Sequence, residues 1–396
     1  MSMPDFAELN TLTADIPAPF ALCDLSAFDT NAAIMRRQAE GKPIRVASKS
    51  LRNRTLLRRA LSQPGFEGVM AFTLPEALWL AEEFDDVLVA YPSTDRASLR
   101  ELAGSGLFDR ITLTVDSDEH LDYLQRTVRP TAAEPLRLCV DLDMSLRLFG
   151  GRVHLGPLRS PVHTPDQALS LARQIEKRPG MELVGLLAYE GQIAGVTDRV
   201  PGQAMNNAAV RAVKWLSGRE LRERRAAIVE RVSEFSTVEF VNGGGTGSLG
   251  FTAASSGVTE LTAGSGFYGP GLFDGYRSIR PLNALHFAFD LVRRPRSGAV
   301  TALGGGWIAS GAPGKDRLPH LIHPAGLRYT GMEGAGEVQT PLVGKGADSV
   351  ALGSRVWTRH AKAGEPAERL NAFQLFDGRA MAGEAPTYRG EGKAFL

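Results

Sequence analysis

The sequence predicts an α/β protein, a (β/α)8 TIM barrel followed by a β-rich C-terminal domain. Two observations predict this fold class. Eight short apolar runs alternate with helix-like segments between residues 44 and 263, the pattern that parallel strands with crossovers require. After Phe273 the long helical patterns stop, and short runs separated by Gly, Pro and Asp replace them. We therefore assign residues 25–273 to the barrel and residues 1–24 plus 274–396 to the β-rich domain.

The strand-like runs occupy, in chain order, residues 44–48, 68–72, 87–91, 111–115, 136–142, 183–189, 238–241 and 260–263. Helix-start signals stand between them at Thr73, Asp116 and Thr164. A doubly wound open sheet is the competing fold class, and the number of strands favours the closed barrel. Residues 19–24 are also strand-like, and we expect them to pair with the β-rich domain. The charge run at residues 219–225 predicts a solvated helix face.

Composition excludes several classes of protein. Of 396 residues, 45 are Lys or Arg and 44 are Asp or Glu, so the net charge of +1 gives no electrostatic footprint for nucleic acid or an anionic membrane. No run of 18 apolar residues is present, and the N-terminus lacks the pattern of a secretory signal. The two cysteines, Cys23 and Cys139, form no zinc motif or disulfide framework. We expect a cytoplasmic protein.

Lys49 follows the first barrel strand directly. Active sites of such barrels lie at the carboxyl ends of the strands, where desolvation can make a lysine amine nucleophilic. The residue types therefore allow a Schiff-base lysine. The alternative interpretation is a strand that simply ends in an exposed lysine.

Two glycine clusters follow the seventh and eighth strands, at residues 242–248 and 263–266. Backbone N–H groups in such loops can bind an anion, and phosphate sites of barrels are common after these two strands. The spacing matches neither a Walker loop nor a dinucleotide fingerprint. A pair of flexible turns is the alternative interpretation.

Polar residues also follow the fifth and sixth strands. Arg147 is suited to an anionic oxygen, or to an ordinary ion pair with Asp143. Tyr189 could lie against a ligand ring, or pack as an aromatic at the barrel mouth. None of the seven histidines forms a metal-binding HExxH motif.

Taken together, these motifs resemble those of the fold-type III pyridoxal-phosphate enzymes, whose founding member is alanine racemase. Within that group the chain is most similar to the D-threonine aldolase and D-serine dehydratase branch, with its relatives called amino acid deaminase/aldolase. The resemblance extends over most of the barrel and is carried by residues 45–50, 139–147, 183–195, 241–248 and 260–269.

The resemblance implies pyridoxal phosphate as cofactor, an amino acid as substrate and a homodimer as the assembly. Lys49 would form the Schiff base, Arg147 would lie near the phenolic oxygen of the cofactor, and Tyr189 would lie near its ring. The phosphate would be surrounded by Gly244, Gly245, Thr246, Gly264 and Ser265.

The chain departs from the family pattern at two places. Residues 262–269 lack the arginine that faces the pyridine nitrogen in alanine racemase, as the aldolase branch also does. That branch carries a His-x-Cys or His-x-Asp pair for a divalent metal, and the nearest match here is His360-Ala-Lys362. His360 and Glu365 are the candidate metal ligands, but Lys362 could instead supply the cation's charge, so a metal stays an open expectation.

The implied function is a lyase acting on β-hydroxy D-amino acids through the Lys49 Schiff base. It would catalyse either retro-aldol cleavage to glycine and an aldehyde, or dehydrative deamination. His360 and His323 are the candidate catalytic groups besides Lys49, with His320 and Glu365 as further candidates at the β-hydroxyl. An amino-acid racemase, a non-catalytic pyridoxal-phosphate-binding protein and a phosphosugar-binding barrel are the alternatives.

Overall fold

The computed structural model describes residues 5–396. The chain begins with helix α1 (Phe6–Leu12) and strand β1 (Phe20–Asp24) before it enters the barrel. The barrel region then contains β2 (Ile44–Ala47), β3 (Phe66–Ala71), β4 (Val87–Val89), β5 (Ile111–Val115), β6 (Leu136–Asp141), the hairpin strands β7 (Leu146–Leu148) and β8 (Val153–Leu155), β9 (Met181–Ala188), β10 (Phe240–Gly243) and β11 (Glu260–Ala263).

The predicted barrel is confirmed. Strands β2, β3, β4, β5, β6, β9, β10 and β11 form a closed parallel barrel in that order, and each coincides with one of the predicted strand-like runs. Its interior contains an apolar layer of Leu88, Cys139, Val184, Leu187 and Phe240. Below this layer Arg45 pairs with Glu260 at 2.8 Å and with Asp86 at 2.7 Å, which neutralises a buried charge at the closed end of the barrel.

Helices surround the barrel, and their starts follow the predicted signals. Thr73 caps one helix, Thr164 forms a capping box with Gln167, and the cap of a third is Ser117 rather than Asp116. The helices are α2 (Leu25–Gln38), α3 (Arg54–Leu61), α4 (Leu74–Leu80), α5 (Arg96–Ser105), α6 (Asp118–Thr127), α7 (Pro165–Glu176), α8 (Gly191–Ala194), α9 (Ala204–Ser233), α10 (Leu249–Ala253) and α11 (Ser265–Tyr268).

The rest of the chain forms a nine-stranded sheet together with β1. The strands are β12 (Leu285–Arg296), β13 (Ala299–Leu303), β14 (His320–His323), β15 (Arg328–Tyr329), β16 (Gln339–Val343), β17 (Arg355–Arg359), β18 (Ala372–Phe376) and β19 (Met381–Pro386). As expected, β1 leaves the barrel and joins this sheet, antiparallel to β12 and parallel to β18. No helix within residues 5–396 is both long and apolar enough to cross a membrane.

The prediction that residues 219–225 form a solvated helix face is wrong in part. Residues 219–225 lie on α9, where Arg219, Arg222 and Glu223 are exposed. Arg225, however, is completely buried and pairs with the equally buried Glu190 at 3.0 Å. Every fourth residue of a helix returns to the same face, so a charge run this long must send some of its members towards the barrel.

Candidate functional site

A cavity of about 510 Å³ lies between the mouth of the barrel and the β-rich domain. Its barrel wall is formed by residues that follow the strands, among them Lys49, Tyr91, Asp141, Tyr189 and Thr246. Its other wall comes from the β-rich domain, through Ser310, Arg317 and residues 361–365. The volume suits a small ligand, and the position is the one at which barrels of this kind carry their chemistry.

Lys49 lies in a single 3-10 turn, Ser48–Ser50, directly after β2. Its Nζ donates a hydrogen bond to Tyr91 Oη at 3.1 Å. The β-rich domain packs closely on this turn, because a Cβ added to Gly364 would come within 1.9 Å of the Lys49 carbonyl oxygen. Tyr91 of the barrel therefore holds the lysine amine, and the β-rich domain holds the backbone of its turn.

Arg159 also lines the cavity, between two of its tyrosines. Its guanidinium carbon lies 5.3 Å from the centroid of the Tyr91 ring and 5.5 Å from that of Tyr189. Burial opposes ionisation of Tyr91, but the charges of Lys49 and Arg159 outweigh burial and lower the pKa of its phenol. In Asp141, at the end of β6, burial raises the carboxyl pKa to about 7.

The two glycine loops meet through Thr246. Its hydroxyl accepts hydrogen bonds from Gly266 N at 3.1 Å and from Ser265 Oγ at 3.2 Å. Side chains have no room here: a Cβ on Gly264 would lie 2.6 Å from the Ala47 carbonyl oxygen, and Gly244 has a φ of +85°. Glycine backbone and the hydroxyls of Thr246 and Ser265 thus line this end of the cavity, which leaves space for a phosphate group close to the main chain.

Glu190 supports the first glycine loop from beneath. Its carboxylate accepts hydrogen bonds from Gly244 N at 3.1 Å, from Arg225 at 3.0 Å and from the hydroxyl of Thr252. The floor of the cavity is polar as well, since Thr262 donates to Asn242 at 2.9 Å and Asn242 donates to Glu260 at 2.6 Å. These contacts hold the loop and the floor in one conformation.

The structure brings most of the predicted residues together. Lys49 and Tyr189 line the cavity with the predicted loop residues Gly244, Gly245, Thr246, Gly264 and Ser265. An amine opposite a loop that can hold phosphate, in a cavity with aromatic walls, fits a phosphorylated aldehyde such as pyridoxal phosphate.

The structure does not bring Arg147 to this cavity. The side chain belongs to the hairpin strand β7, one-third exposed, where it pairs with Asp143 at 2.5 Å. Arg159 occupies the cavity instead. Arg159 follows β8 in an irregular segment that carries no motif, so no sequence signal pointed to it. Tyr91, which was also missed, stands at the end of a predicted strand and could have been found by its position.

The predicted histidines lie outside the cavity lining. His323 stacks on Phe6 with ring centroids 5.2 Å apart, and His320 lies against Gly271. His360 is buried behind the cavity wall, with Nδ1 at 2.5 Å from the Lys362 carbonyl oxygen and at 3.2 Å from the Lys362 backbone N. Burial lowers the pKa of the His360 imidazole.

The residues present do not fit the expected divalent metal. The candidate ligands His360 Nε2 and Glu365 Oε2 are 3.8 Å apart, and Glu365 also accepts hydrogen bonds from Ser310 N at 3.0 and 3.1 Å. Within residues 5–396, no group of three His, Cys, Asp or Glu side chains could hold a metal ion. Lys362, beside them, offers a protonated amine that cannot act as a ligand.

Comparison with known proteins agrees with this geometry. The profile of the alanine racemase N-terminal domain family matches residues 23–229. D-threonine aldolase from an Arthrobacter species is 25% identical over 338 residues, which cover 83% of this chain and 82% of that protein.

Two solved structures share the whole architecture. The crystal structure of D-threonine aldolase from Filomicrobium marinum has a TM-score of 0.77 at 21% identity, covering 95% of this chain and 96% of that one. D-threo-3-hydroxyaspartate dehydratase from Delftia sp. HT23 has a TM-score of 0.68 at 19% identity, covering 94% and 98%.

Proposed function

The chain belongs to the alanine racemase N-terminal domain family, and from this premise we propose that it is a pyridoxal-phosphate-dependent lyase acting on β-hydroxy D-amino acids. The observation that carries the proposal is the placement of the Lys49 amine and the two glycine loops in one cavity. The similarity to a D-threonine aldolase over most of the chain supports the substrate class.

Bound pyridoxal phosphate supplies an aldehyde for a Schiff base and a ring that accepts electrons from bonds to Cα of an amino acid. In our proposal Lys49 provides the amine that holds the cofactor. The loops around Thr246 and Ser265 bind its phosphate, and Tyr189 packs against its ring. We assign to Arg159, rather than Arg147, the contact with the anionic oxygen of the ring, because Arg159 alone of the two lines the cavity.

Tyr91 completes the proposed proton path. Its hydroxyl is 3.1 Å from Lys49 Nζ, within reach of any proton that Lys49 gains or loses. The positive charges nearby favour its phenolate, so that Tyr91 can accept a proton from the lysine and return it. We assign to Tyr91 the task of keeping Lys49 in the protonation state each step needs.

The cavity allows two outcomes for the β-hydroxy substrate. Breaking the Cα–Cβ bond gives glycine and an aldehyde, whereas loss of the hydroxyl after removal of the Cα proton leads to a 2-oxo acid and ammonia.

We further propose that the protein is a cytoplasmic homodimer. Sedimentation at several protein concentrations tests the dimer.

The test is to incubate the protein, reconstituted with pyridoxal phosphate, with D-threonine and to identify the products. Glycine with acetaldehyde identifies an aldolase, and 2-oxobutyrate with ammonia identifies a deaminase. Lys49→Ala should abolish turnover and the yellow cofactor absorbance, whereas Lys177→Ala, at the exposed end of α7, should keep both. Absence of turnover with every β-hydroxy D-amino acid, or colour that survives in Lys49→Ala, would contradict the proposal.

A further inference from the structure

Lys362 faces the cavity from the β-rich domain, opposite Lys49. It belongs to the turn that follows β17, and this turn packs directly on the Lys49 turn through Gly364. The Lys362 side chain is half-buried and lines the same cavity as Lys49. A substrate bound at Lys49 therefore meets Lys362 on the side that the β-rich domain closes.

The Lys362 ammonium is held by a hydroxyl rather than by an ion pair. Its Nζ donates to Ser310 Oγ at 3.2 Å, and among residues 5–396 no acidic side chain forms an ion pair with it. A second cation adjoins it, since a Cβ on Gly311 would lie 3.4 Å from Lys362 Nζ and 3.5 Å from the guanidinium carbon of Arg317. Burial and the charge of Arg317 lower the pKa of Lys362, and the more distant carboxylate of Glu365 opposes them.

An ammonium has three donors, and Ser310 takes only one of them. Two donors are left for a ligand in the cavity. Arg317 forms an ion pair with the exposed Asp316 at 3.7 Å, which leaves most of its guanidinium donors unpaired by carboxylates. Two cations side by side on a cavity wall can bind an oxygen that is negative or becomes negative during reaction.

We propose that the Lys362 ammonium, with Arg317 beside it, is the fixed cation that binds the β-oxygen of the substrate, and that the enzyme therefore works without a divalent metal. This inference rests on the lyase function proposed above. The proposal also explains why His360 and Glu365 are too few donors for a metal ion. A metal is not needed at this wall if Lys362 and Arg317 already supply the positive charge.

The first test is the metal content of the wild-type holoenzyme, by plasma mass spectrometry, and its kcat with and without EDTA or MnCl2. We expect no stoichiometric metal and an unchanged kcat. A stoichiometric divalent metal whose removal abolishes turnover would overturn the proposal. Metal content does not depend on turnover, so an inactive but metal-free protein would count against the lyase function alone.

The second test uses variants of Lys362. Lys362→Met should lower kcat by about 10²–10³-fold, as loss of an oxyanion-stabilising donor does, while cofactor absorbance and the circular dichroism spectrum are retained. Lys177→Met is the matched control and should leave kcat unchanged. Lys362→Asp places a third ligand beside His360 and Glu365, and calorimetric titration of the holoenzyme with MnCl2 should then show one bound ion. An unchanged kcat in Lys362→Met, or no Mn²⁺ binding by Lys362→Asp, would overturn the assignment.

Discussion

Glu190 and Arg225 form an ion pair of 3.0 Å in which both side chains are completely buried. Glu190 stands two residues after the end of β9 and Arg225 lies on α9, so the pair ties this 30-residue helix to the carboxyl end of the barrel. The same carboxylate accepts a hydrogen bond from Gly244 N. The charge balance of the pair and the conformation of the glycine loop are therefore coupled.

Replacing Glu190 with Gln should destabilise the fold and the loop together. Without the carboxylate, Arg225 becomes a buried unpaired charge, and breaking such a pair costs about 3–5 kcal/mol of unfolding free energy. Chemical denaturation and titration with pyridoxal phosphate check the two effects. The control Glu223→Gln removes only an exposed pair with Arg219 and should change stability by less than about 1 kcal/mol. Equal stability of the two variants would show that the pair is not needed.

Replacing Tyr91 with Phe tests the proposed proton path. The ring is kept but the hydroxyl beside Lys49 is lost, so kcat should fall by about 10²-fold, within the usual range for proton-transfer groups. The limb of the pH profile of kcat that reports ionisation of the Tyr91 phenol should disappear as well. Tyr123→Phe removes a hydroxyl that donates only to the Thr94 carbonyl, and its profile should match the wild type. A Tyr91→Phe profile that keeps every limb would remove Tyr91 from the path.

Two arginines give a matched comparison for cofactor binding. Arg159→Met removes the cation next to Tyr91 and Tyr189, and we expect the Kd for pyridoxal phosphate to rise by about tenfold, as the loss of one charge-assisted hydrogen bond predicts. Arg147→Met removes a partner of Asp143 on the hairpin, and this Kd should not change. Absorbance titration measures both, and the opposite ranking would return the role to Arg147.

The fold was predictable because its signals are local. Each barrel strand is a short apolar run, three of the helices between them carry start signals, and eight such runs in series leave few arrangements. That β1 pairs with the other sheet was also foreseeable, because this strand precedes the first barrel helix. The burial of Arg225 was not, since its partner Glu190 is 35 residues away in sequence and only packing brings them together.

The site was predictable where chemistry follows a strand directly, as at Lys49 and at the glycine loops. It was not predictable where a residue reaches the cavity from an irregular segment. Arg147 follows β6 closely but turns away on a hairpin, and Arg159 returns to the cavity after that hairpin. Likewise, the position of His360 behind the wall depends on the turn at Lys362, which no spacing rule describes.

A pH-dependent stability is expected from Glu76, which is completely buried in α4. Its carboxyl oxygens accept hydrogen bonds from Phe72 N at 2.6 Å and Tyr388 Oη at 2.9 Å, so that it joins the barrel to the C-terminal segment. Burial raises the pKa of this carboxyl to about 7, above its ordinary value of 4.5.

Because the folded protein holds this proton more tightly than the unfolded chain, the stabilising contribution is complete below about pH 4.5 and is lost as the pH rises towards 7. The loss is on the order of 3 kcal/mol, from the size of the pKa shift. Glu76→Gln should therefore flatten the dependence of the urea midpoint on pH between 5 and 8, relative to the wild type. Glu82→Gln, on the exposed surface nearby, should leave that dependence as it is. If the wild type and Glu76→Gln have parallel pH profiles, the carboxyl of Glu76 does not titrate in this range.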